Sequence, residues 1–343
     1  MTEAGADFHD PLVRRDEAAS LPARFFDRFM FNLHPVDDTQ PSVILGYGVY
    51  PPKDVADGFA VISTATEQRN VRFSTELSAT GDEGSGPLRF ECVAANREWR
   101  LQLGENPTGV ELDVTWTART PYWLGSVEVD NADGPATSFD HLVQSGRYRG
   151  TITIDGRQQP VDGWYGQRDR SRGVRTMSGG QGLHIWFQAQ FADRSVGFLL
   201  VEGRQGGDRL LLEGAVMHED GTLDDVVEVR HDLVFDDGLD LTSGIVEVIT
   251  AAGRVYRIDC DGTARGGYMS GGGYGGHHGK PRGRDHLESD TYPLDGTVSP
   301  RTVDTALTDR LTAFTWGEQR GTGIFEFAHS RSSSYRYLPT LGD

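Results

Sequence analysis

The chain has 343 residues, of which 33 are basic and 51 acidic, so its formal net charge is −18. This charge argues against a non-specific nucleic-acid binder, which needs cationic groups to displace counterions from phosphates. It also disfavours docking on an anionic membrane surface. Hydrophobic residues make up 37% and aromatic residues 10%, which is enough to form cores and excludes a wholly disordered chain. The expected partner is a small molecule or a protein.

The sequence also bears on the compartment. The two cysteines, Cys92 and Cys260, are too few for a disulfide framework or a zinc site. No apolar run approaches the ~18 residues that a membrane-spanning helix requires, and residues 1–20 lack the apolar stretch of a signal peptide. We therefore expect a cytoplasmic protein with no membrane insertion.

The first predicted element is a short helix within residues 16–33, in an N-terminal segment that we bound at residues 1–35. Pro22 favours a helix that starts near that position. Four apolar residues then recur at the spacing of one helical face: Phe25, Phe26, Phe29 and Met30.

Most of the remaining chain predicts β-strands. Short segments rich in β-branched, aromatic or leucine residues alternate with turn signals such as Asp-Gly. The clearest segments are 146–157, 182–191, 194–204 and 209–221. Short strands with dense turns predict an antiparallel all-β fold of sandwiches or barrels with few short helices.

A weak internal repeat suggests two related domains. The sequence from Trp164 to Arg168 (WYGQR) is echoed by Trp316 to Arg320 (WGEQR), about one domain length later. We therefore predict tandem β-domains at residues 36–176 and 177–343.

The densest group of functional residue types is GWYGQRDRSRGVR, residues 163–175. Asp169 has four arginines nearby in sequence: Arg168, Arg170, Arg172 and Arg175. Because side chains alternate along a strand, Asp169 and Arg175 could share one face while Arg168 and Arg170 share the other. The cluster predicts either a structural ion-pair network or a substrate site. In the second case Asp169 is a catalytic residue that orients a hydroxyl or a histidine, and the substrate-binding residues are Trp164, Arg168 and Arg175.

The next strand places His184, Trp186 and Gln188 on one face. A histidine, an indole and an amide on one side form either the polar-aromatic wall of a pocket or a half-exposed sheet face. We nominate His184 as catalytic, and Trp186 and Gln188 as substrate-binding.

Glu213 lies in the apolar segment RLLLEGAVM and should face the same way as Leu211. A carboxyl group in apolar surroundings tends to have a raised pKa, which suits a general acid near neutral pH. The alternative is an ordinary surface glutamate on an edge strand.

The glycine-rich stretch 266–284 allows three interpretations. It is not a P-loop, because Lys280 is followed by Pro281. A metal site has suitable ligand types but no recognised spacing: His277, His278, His286, Glu288 and Asp290. We favour a mobile flap with glycine hinges that carries a catalytic His278 and a substrate-binding Tyr274 over a pocket. No metal is expected, and without a G-x-G-x-x-G motif at a helix start no nicotinamide or flavin is expected either.

At this point the sequence resembles a known group. The ordered segments RYRGTITIDG, GWYGQRDRSRGVR, HIWFQAQF, GYGGHHG and WGEQRGTGIFEF are similar to the carotenoid 1,2-hydratase (hydroxyneurosporene synthase) and AttH-like family. The match runs from about residue 40 to the C-terminus, and its most specific part is G-x-R-D-x-S-x-G-x-R at 166–175. Arg170 and Arg172 stand where histidine and tryptophan are common in the family. A proton shuttle at 170 and an indole at 172 are therefore not carried over.

The resemblance implies two lipocalin-like β-barrels packed side by side, with ligands in an apolar cavity. It implies hydration of an alkene in the carotenoid enzymes, and cyclisation or pericyclic reactions in relatives. The catalytic positions that it carries over are His184, Trp186 and Glu213. Where an aromatic residue is expected two positions before the acid, this chain has Leu211.

Together, these observations predict a cofactor-independent enzyme, a hydro-lyase or an isomerase or cyclase, acting on an isoprenoid (terpenoid), steroid-like or polyketide substrate. Protonation of an alkene needs a neutral acid in a dry pocket and yields a cation. The faces of Trp186, Trp164 and Tyr274 could stabilise that cation by ~0.5–2 kcal/mol each, and His184 or His278 could act as the base for water. The alternatives are a carrier that binds a hydrophobic ligand in the same cavity and an interaction scaffold.

Overall fold

The computed structural model describes residues 12–80, 84–129, 137–175, 181–204 and 208–342. It is 62% strand and 4% helix, which confirms the predicted all-β class. Its 3-10 helices among the described residues are short, at Arg15–Ser20, Pro51–Lys53 and Leu77–Ala79. The strands form a curled sheet and a closed barrel.

Among the described residues, twelve antiparallel strands form the curled sheet, which we call the first sheet. Its strands are β1 (Phe25–Leu33), β2 (Ser42–Tyr50), β3 (Val55–Ser63), β4 (Glu67–Glu76), β5 (Gly84–Ser85), β6 (Leu88–Ala94), β7 (Glu98–Leu103), β8 (Val110–Ala118), β9 (Trp123–Val129), β10 (Thr137–Ile154), β11 (Arg157–Val174) and β18 (His286–Pro293). Their order is β18-β4-β3-β2-β1-β11-β10-β8-β7-β6-β5, and β9 pairs with β10.

The remaining strands close into a barrel. They are β12 (Gln181–Gln190), β13 (Arg194–Gly203), β14 (Arg209–His218), β15 (Leu223–Phe235), β16 (Leu241–Thr250), β17 (Val255–Asp261), β19 (Thr308–Trp316) and β20 (Gln319–His329). They follow one another in chain order, and β20 pairs with β12 to close the barrel. Between β17 and β19 the chain crosses to the first sheet and adds β18 beside β4. The predicted domain division after residue 176 lies outside the described residues.

The predicted helix within residues 16–33 is wrong. Only Arg15–Ser20 is helical, as a 3-10 helix, and Phe25–Leu33 forms β1 in the middle of the first sheet. The physical reason is that both faces of β1 are buried. Phe29 and Phe31 pack under the first sheet, while Phe26 and Met30 pack against the barrel. A strand that is apolar on both faces loses its alternation, and its apolar residues then match helical spacing by coincidence.

Three apolar cores hold the molecule together. One lies under the first sheet around Trp116 and Tyr148, and one fills the barrel around Phe187. The third lies between the first sheet and the barrel and includes Phe59 and Trp186. Since alternate residues of a strand face opposite ways, the strand that sends Phe187 into the barrel presents Trp186 to the first sheet. The outer face of the barrel is therefore buried where it meets the first sheet.

Candidate active site between the first sheet and the barrel

A row of side chains crosses the outer face of the barrel. Cross-strand partners share a face of a sheet, and the pairing connects five positions in succession: Glu213 on β14, Leu199 on β13, Trp186 on β12, Glu326 on β20 and Asp309 on β19. We call this set the barrel row. At ~4.8 Å per strand, the backbones of Glu213 and Glu326 are about 14 Å apart. The row therefore has carboxyl groups at both ends and an apolar middle.

The first sheet presents a complementary polar row. The strand pairing connects His141 on β10, Ser171 on β11, Arg28 on β1, Gly48 on β2 and Asp57 on β3. A Cβ atom added at Gly48 would lie 3.2 Å from the Arg28 side chain, so the absence of a side chain there leaves Arg28 its space. The two rows bring titratable groups from both units into one apolar interface.

His141 joins the two units through two carboxyl groups. Its Nδ1 lies 2.8 Å from Glu213 Oε1 of the barrel, and its Nε2 lies 2.6 Å from Asp169 Oδ2 of β11. Burial alone would lower the pKa of His141, but Asp169 and Glu213 outweigh burial and raise this pKa to about 10. The imidazole is therefore protonated at neutral pH and donates one hydrogen bond to each carboxylate.

The second oxygen of Glu213 faces a small cavity. Glu213 Oε2 is buried, and no hydrogen-bond donor among the described residues reaches it. The cavity has a volume of about 10 Å³, which is room for about one water molecule. Its wall mixes apolar and polar groups, including Trp123, Val143, Trp186, Gln188 and Glu213. A carboxylate oxygen with free lone pairs thus lies beside two indoles in a small, partly open cavity.

The other end of the barrel row carries a second carboxyl cluster. Glu326 Oε1 accepts a hydrogen bond from His184 Nε2 at 2.6 Å, and the carboxyl groups of Glu326 and Asp309 interact directly. Burial, together with the negative charges of Glu326 and Asp169, raises the pKa of Asp309 well above its usual range. Of these two carboxyl groups, Asp309 is therefore the one that holds a proton more readily.

Arg175 directly follows β11 and is exposed, with its guanidinium packed on aromatic rings. Its guanidinium carbon is 4.3 Å from the ring centre of Phe139. The charges of Asp169 and Glu326 both act on it. Arg175 is therefore placed to hold the negative charge of either cluster, or of a ligand between them.

Arg168 and Trp164 lie away from this interface. The Arg168 guanidinium faces the core under the first sheet, where Nη2 donates to Asn96 Oδ1 at 2.9 Å and the guanidinium carbon is 5.6 Å from the Trp99 ring centre. Trp164 packs against the same core. The alternation predicted for β11 is present, since Asp169 and Arg168 face opposite ways, but it separates these two nominated residues from the others.

The glycine-rich stretch lies wedged between the first sheet and the barrel. Tyr268 and Met269 are fully buried. The Tyr268 backbone exchanges two hydrogen bonds with the Gln68 side chain of β4, at 2.8 and 2.9 Å. In this structure the stretch is a packed element of the interface rather than an open cover. It carries Tyr274 and His278 into the same region as Arg28.

His278 is a neutral histidine at this site. Its Nδ1 lies 3.3 Å from Asp57 Oδ1. Burial and the nearby Arg28 cation lower the pKa of His278 to about 4. His278 is therefore a weak base that stays unprotonated at neutral pH.

Of the remaining residues of the metal-site alternative, His277 is buried, and neither of its ring nitrogens has a hydrogen-bond partner among the described residues. The other three are engaged in polar pairs. Glu288 Oε1 accepts from His286 Nε2 at 2.8 Å, and Asp290 pairs with Arg72 at 3.0 Å. Within the ranges that the structure covers, no three His, Cys, Asp or Glu side chains are grouped to hold a metal ion. Likewise, no described helix is both long and apolar enough to cross a membrane.

Sequence analysis missed several groups at this interface: Arg28, Asp57, His141, Asp309 and Glu326. Two of them carried a usable signal. His141 is two residues from both Phe139 and Val143, so it shares a strand face with them. Glu326 lies directly between Phe325 and Phe327 in the sequence. A titratable residue within an apolar strand was the pattern that singled out Glu213, and it applies equally to these two.

Structural comparison confirms the AttH-like fold. An AttH-like protein of Nitrosomonas europaea superposes with a TM-score of 0.61 at 12% identity, over 94% of this chain and 95% of that one. The protein CghA superposes with a TM-score of 0.50 at 10% identity, over 90% and 89%. Kievitone hydratase of Nectria haematococca gives a TM-score of 0.49 at 10% identity, over 93% and 94%.

Sequence comparison gives a narrower result. No curated protein matches the chain significantly. A family profile described as a domain of unknown function, DUF7064, matches residues 40–272, which is more than half of the chain and includes His141, Asp169 and Glu213. The chain therefore belongs to the DUF7064 family.

Proposed function

We propose that the protein is an acid–base enzyme that hydrates, isomerises or cyclises an alkene in a hydrophobic small molecule. The observation that carries the proposal is the Glu213–His141–Asp169 bridge at a small cavity with both apolar and polar walls. A carrier needs only an apolar lining, whereas this cavity contains a carboxylate oxygen and an imidazolium.

The two ends of the barrel row suit the two proton transfers that such chemistry requires. Asp309, whose pKa is raised by burial and by Glu326, would donate a proton to an alkene carbon as the π electrons form the C–H bond. The product of this step is a carbocation and the Asp309 carboxylate. The indole of Trp186, next to Glu326 in the row, would stabilise the cation by ~0.5–2 kcal/mol.

Glu213 would complete the reaction as a proton acceptor. If water adds to the cation, a C–O bond forms and Glu213 Oε2 takes a proton from the water. If a neighbouring C–H bond breaks instead, Glu213 takes that proton and a new double bond forms. His141, protonated and bonded to Oε1, would hold the carboxylate in place while Oε2 receives the proton.

The spacing of the groups favours a substrate that is longer than one double bond. Glu213 and Asp309 are four strand steps apart in the barrel row, which is ~19 Å along the sheet. The surface between them is formed by Leu199, Trp186 and Glu326. An isoprenoid, steroid-like or polyketide molecule with several unsaturated carbons could span this distance. The interface would have to open to admit it, because the cavity in this structure holds about one water molecule.

The test is incubation of the protein with a lipophilic cell extract in ¹⁸O-labelled water, followed by mass spectrometry of free and protein-bound compounds. We expect either a compound that gains labelled water or an isobaric product with a new retention time. Glu213→Gln should abolish the product. Glu202→Gln should not, because Glu202 forms its own buried contact with His231 elsewhere in the barrel. A compound released unchanged would show a carrier and refute the proposal.

A further inference from the structure

A second group of polar side chains at the interface has no part in the proton transfers above. The Arg28 guanidinium lies between two phenols: Nη1 donates to the hydroxyl of Tyr274 at 3.2 Å, and Nη2 donates to the hydroxyl of Tyr50. Since both nitrogens belong to one rigid, planar group, the two hydroxyls are held side by side. We call this group the tyrosine fork.

Each hydroxyl of the fork has a hydrogen to donate. A phenol can accept and donate at once, and in each case the bond to Arg28 uses only the accepting side. Among the described residues, neither hydroxyl hydrogen has an acceptor; the nearby Asp57 carboxylate is already bonded to the Gly279 N–H at 2.6 Å and faces His278. Tyr50 is only 6% exposed, so a missing acceptor there is costly.

The phenols remain donors across the ordinary pH range. Burial raises the pKa of both Tyr50 and Tyr274, so both rings keep their protons at neutral pH. The adjacent Arg28 cation draws electron density from both hydroxyls, which strengthens the hydrogen bonds they can donate.

The fork opens onto the same interface as the carboxyl groups. Tyr274 packs against the core between the first sheet and the barrel. The charges of Glu326 and Asp309 act on Tyr274. Tyr50 and Trp186 belong to that same core, so the fork and the middle of the barrel row lie at one interface.

We propose that the tyrosine fork binds a carbonyl oxygen of the substrate, so that the substrate class is an unsaturated ketone. This inference rests on the proposed function and deepens it. Two hydroxyl donors backed by a cation would hold that oxygen in place by hydrogen bonds and so position the double bond of the same molecule. A pure hydrocarbon would leave the two buried hydroxyl hydrogens without an acceptor, so the fork selects against it. The double bond would then extend from the fork along Trp186 toward Glu213.

The test uses 2-naphthol, which carries one oxygen on an unsaturated ring system and whose fluorescence distinguishes the neutral from the ionised ring. We expect saturable binding to the full-length protein. Tyr50→Phe and Tyr274→Phe should each weaken binding about tenfold, the loss expected for one hydrogen bond. Tyr148→Phe is the matched control, because its hydroxyl is buried in the core under the first sheet, and it should bind as the unmodified protein does.

A second measurement needs no variant. Naphthalene has the same rings without the oxygen, and the unmodified protein should bind it at least tenfold more weakly than 2-naphthol. The inference would be overturned if the unmodified protein did not bind 2-naphthol, or if it bound naphthalene as tightly as 2-naphthol. It would also be overturned if Tyr50→Phe and Tyr274→Phe bound 2-naphthol as tightly as the unmodified protein does. The test measures binding and needs no turnover, so its answer does not depend on whether the protein turns over a substrate.

Discussion

Replacing His141 with phenylalanine should destabilise the protein strongly near neutral pH. The substitution keeps a ring in the interface but removes the cation and both N–H donors from between Glu213 and Asp169. The rise in the pKa of His141 from 6.5 to about 10, at about 1.4 kcal/mol per pH unit, corresponds to a stabilisation of about 5 kcal/mol. Two buried carboxyl groups would then face each other without a cation, which costs a similar amount.

The pH dependence of this loss follows from the sign of the shift. The pKa of His141 is higher in the folded than in the unfolded protein, so its contribution is fully present below about pH 6.5. It declines as the pH rises and is lost near pH 10. The assay is chemical denaturation of the unmodified protein and of His141→Phe at a series of pH values between 6 and 10, with the difference in unfolding free energy plotted against pH.

His34→Phe provides the matched control. His34 is also fully buried, but burial lowers its pKa to about 4, so it is neutral throughout this range. Because His34 of the unfolded chain titrates near pH 6.5, the stability difference between His34→Phe and the unmodified protein should change by less than about 1 kcal/mol between pH 6 and 7.5, and it should be flat from pH 7.5 to 10. Two results would refute a protonated His141 between Glu213 and Asp169. One is a difference in unfolding free energy for His141→Phe that is equally independent of pH, and the other is a His141→Phe variant as stable as the unmodified protein at pH 7.

Two further predictions concern other parts of the interior. Asp27→Asn breaks the buried pair in which both Asp27 oxygens accept from Arg170 at 2.8 and 2.9 Å, and denaturation should show a loss of about 3–5 kcal/mol. Arg100→Ala removes an exposed ion pair with Asp113 and should lower the free energy of unfolding by less than about 1 kcal/mol. Equal losses for the two variants would contradict the difference expected between a buried and an exposed ion pair. Gly125→Ala places a Cβ atom 2.5 Å from Glu213 Oε2, and the resulting displacement should reduce turnover about a hundredfold, measured by product formation from the extract.

The fold class could be predicted because strand alternation and turn residues are local signals. The segment 146–157 ends β10 at a tight turn in which Asp155 and Gly156 both have positive φ, at 50° and 75°, as an Asp-Gly hairpin favours. β1 could not be identified in the same way, because its two faces pack against different cores and its sequence does not alternate. The return of β18 to the first sheet also has no local signal, since it depends on pairing with β4.

The site was only partly predictable, for a related reason. Alternation along β11 correctly set Asp169 apart from Arg168, and apolar surroundings correctly marked Glu213 as a buried carboxyl group. The partner of Glu213 is His141, which is 72 residues away in sequence and on the other unit. Such a contact is fixed by the packing of the barrel on the first sheet, and no spacing along the chain encodes it.

The central claim is that this interface transfers protons to and from carbon, and incubation with the lipophilic extract in deuterium oxide tests it most directly. Hydration, isomerisation and cyclisation that begin with alkene protonation all deliver one solvent-derived hydrogen to carbon. We predict a product that carries carbon-bound deuterium with the unmodified protein and none with Asp309→Asn or Glu213→Gln. A product without carbon-bound deuterium, or the same deuterium content with both variants, would contradict the account.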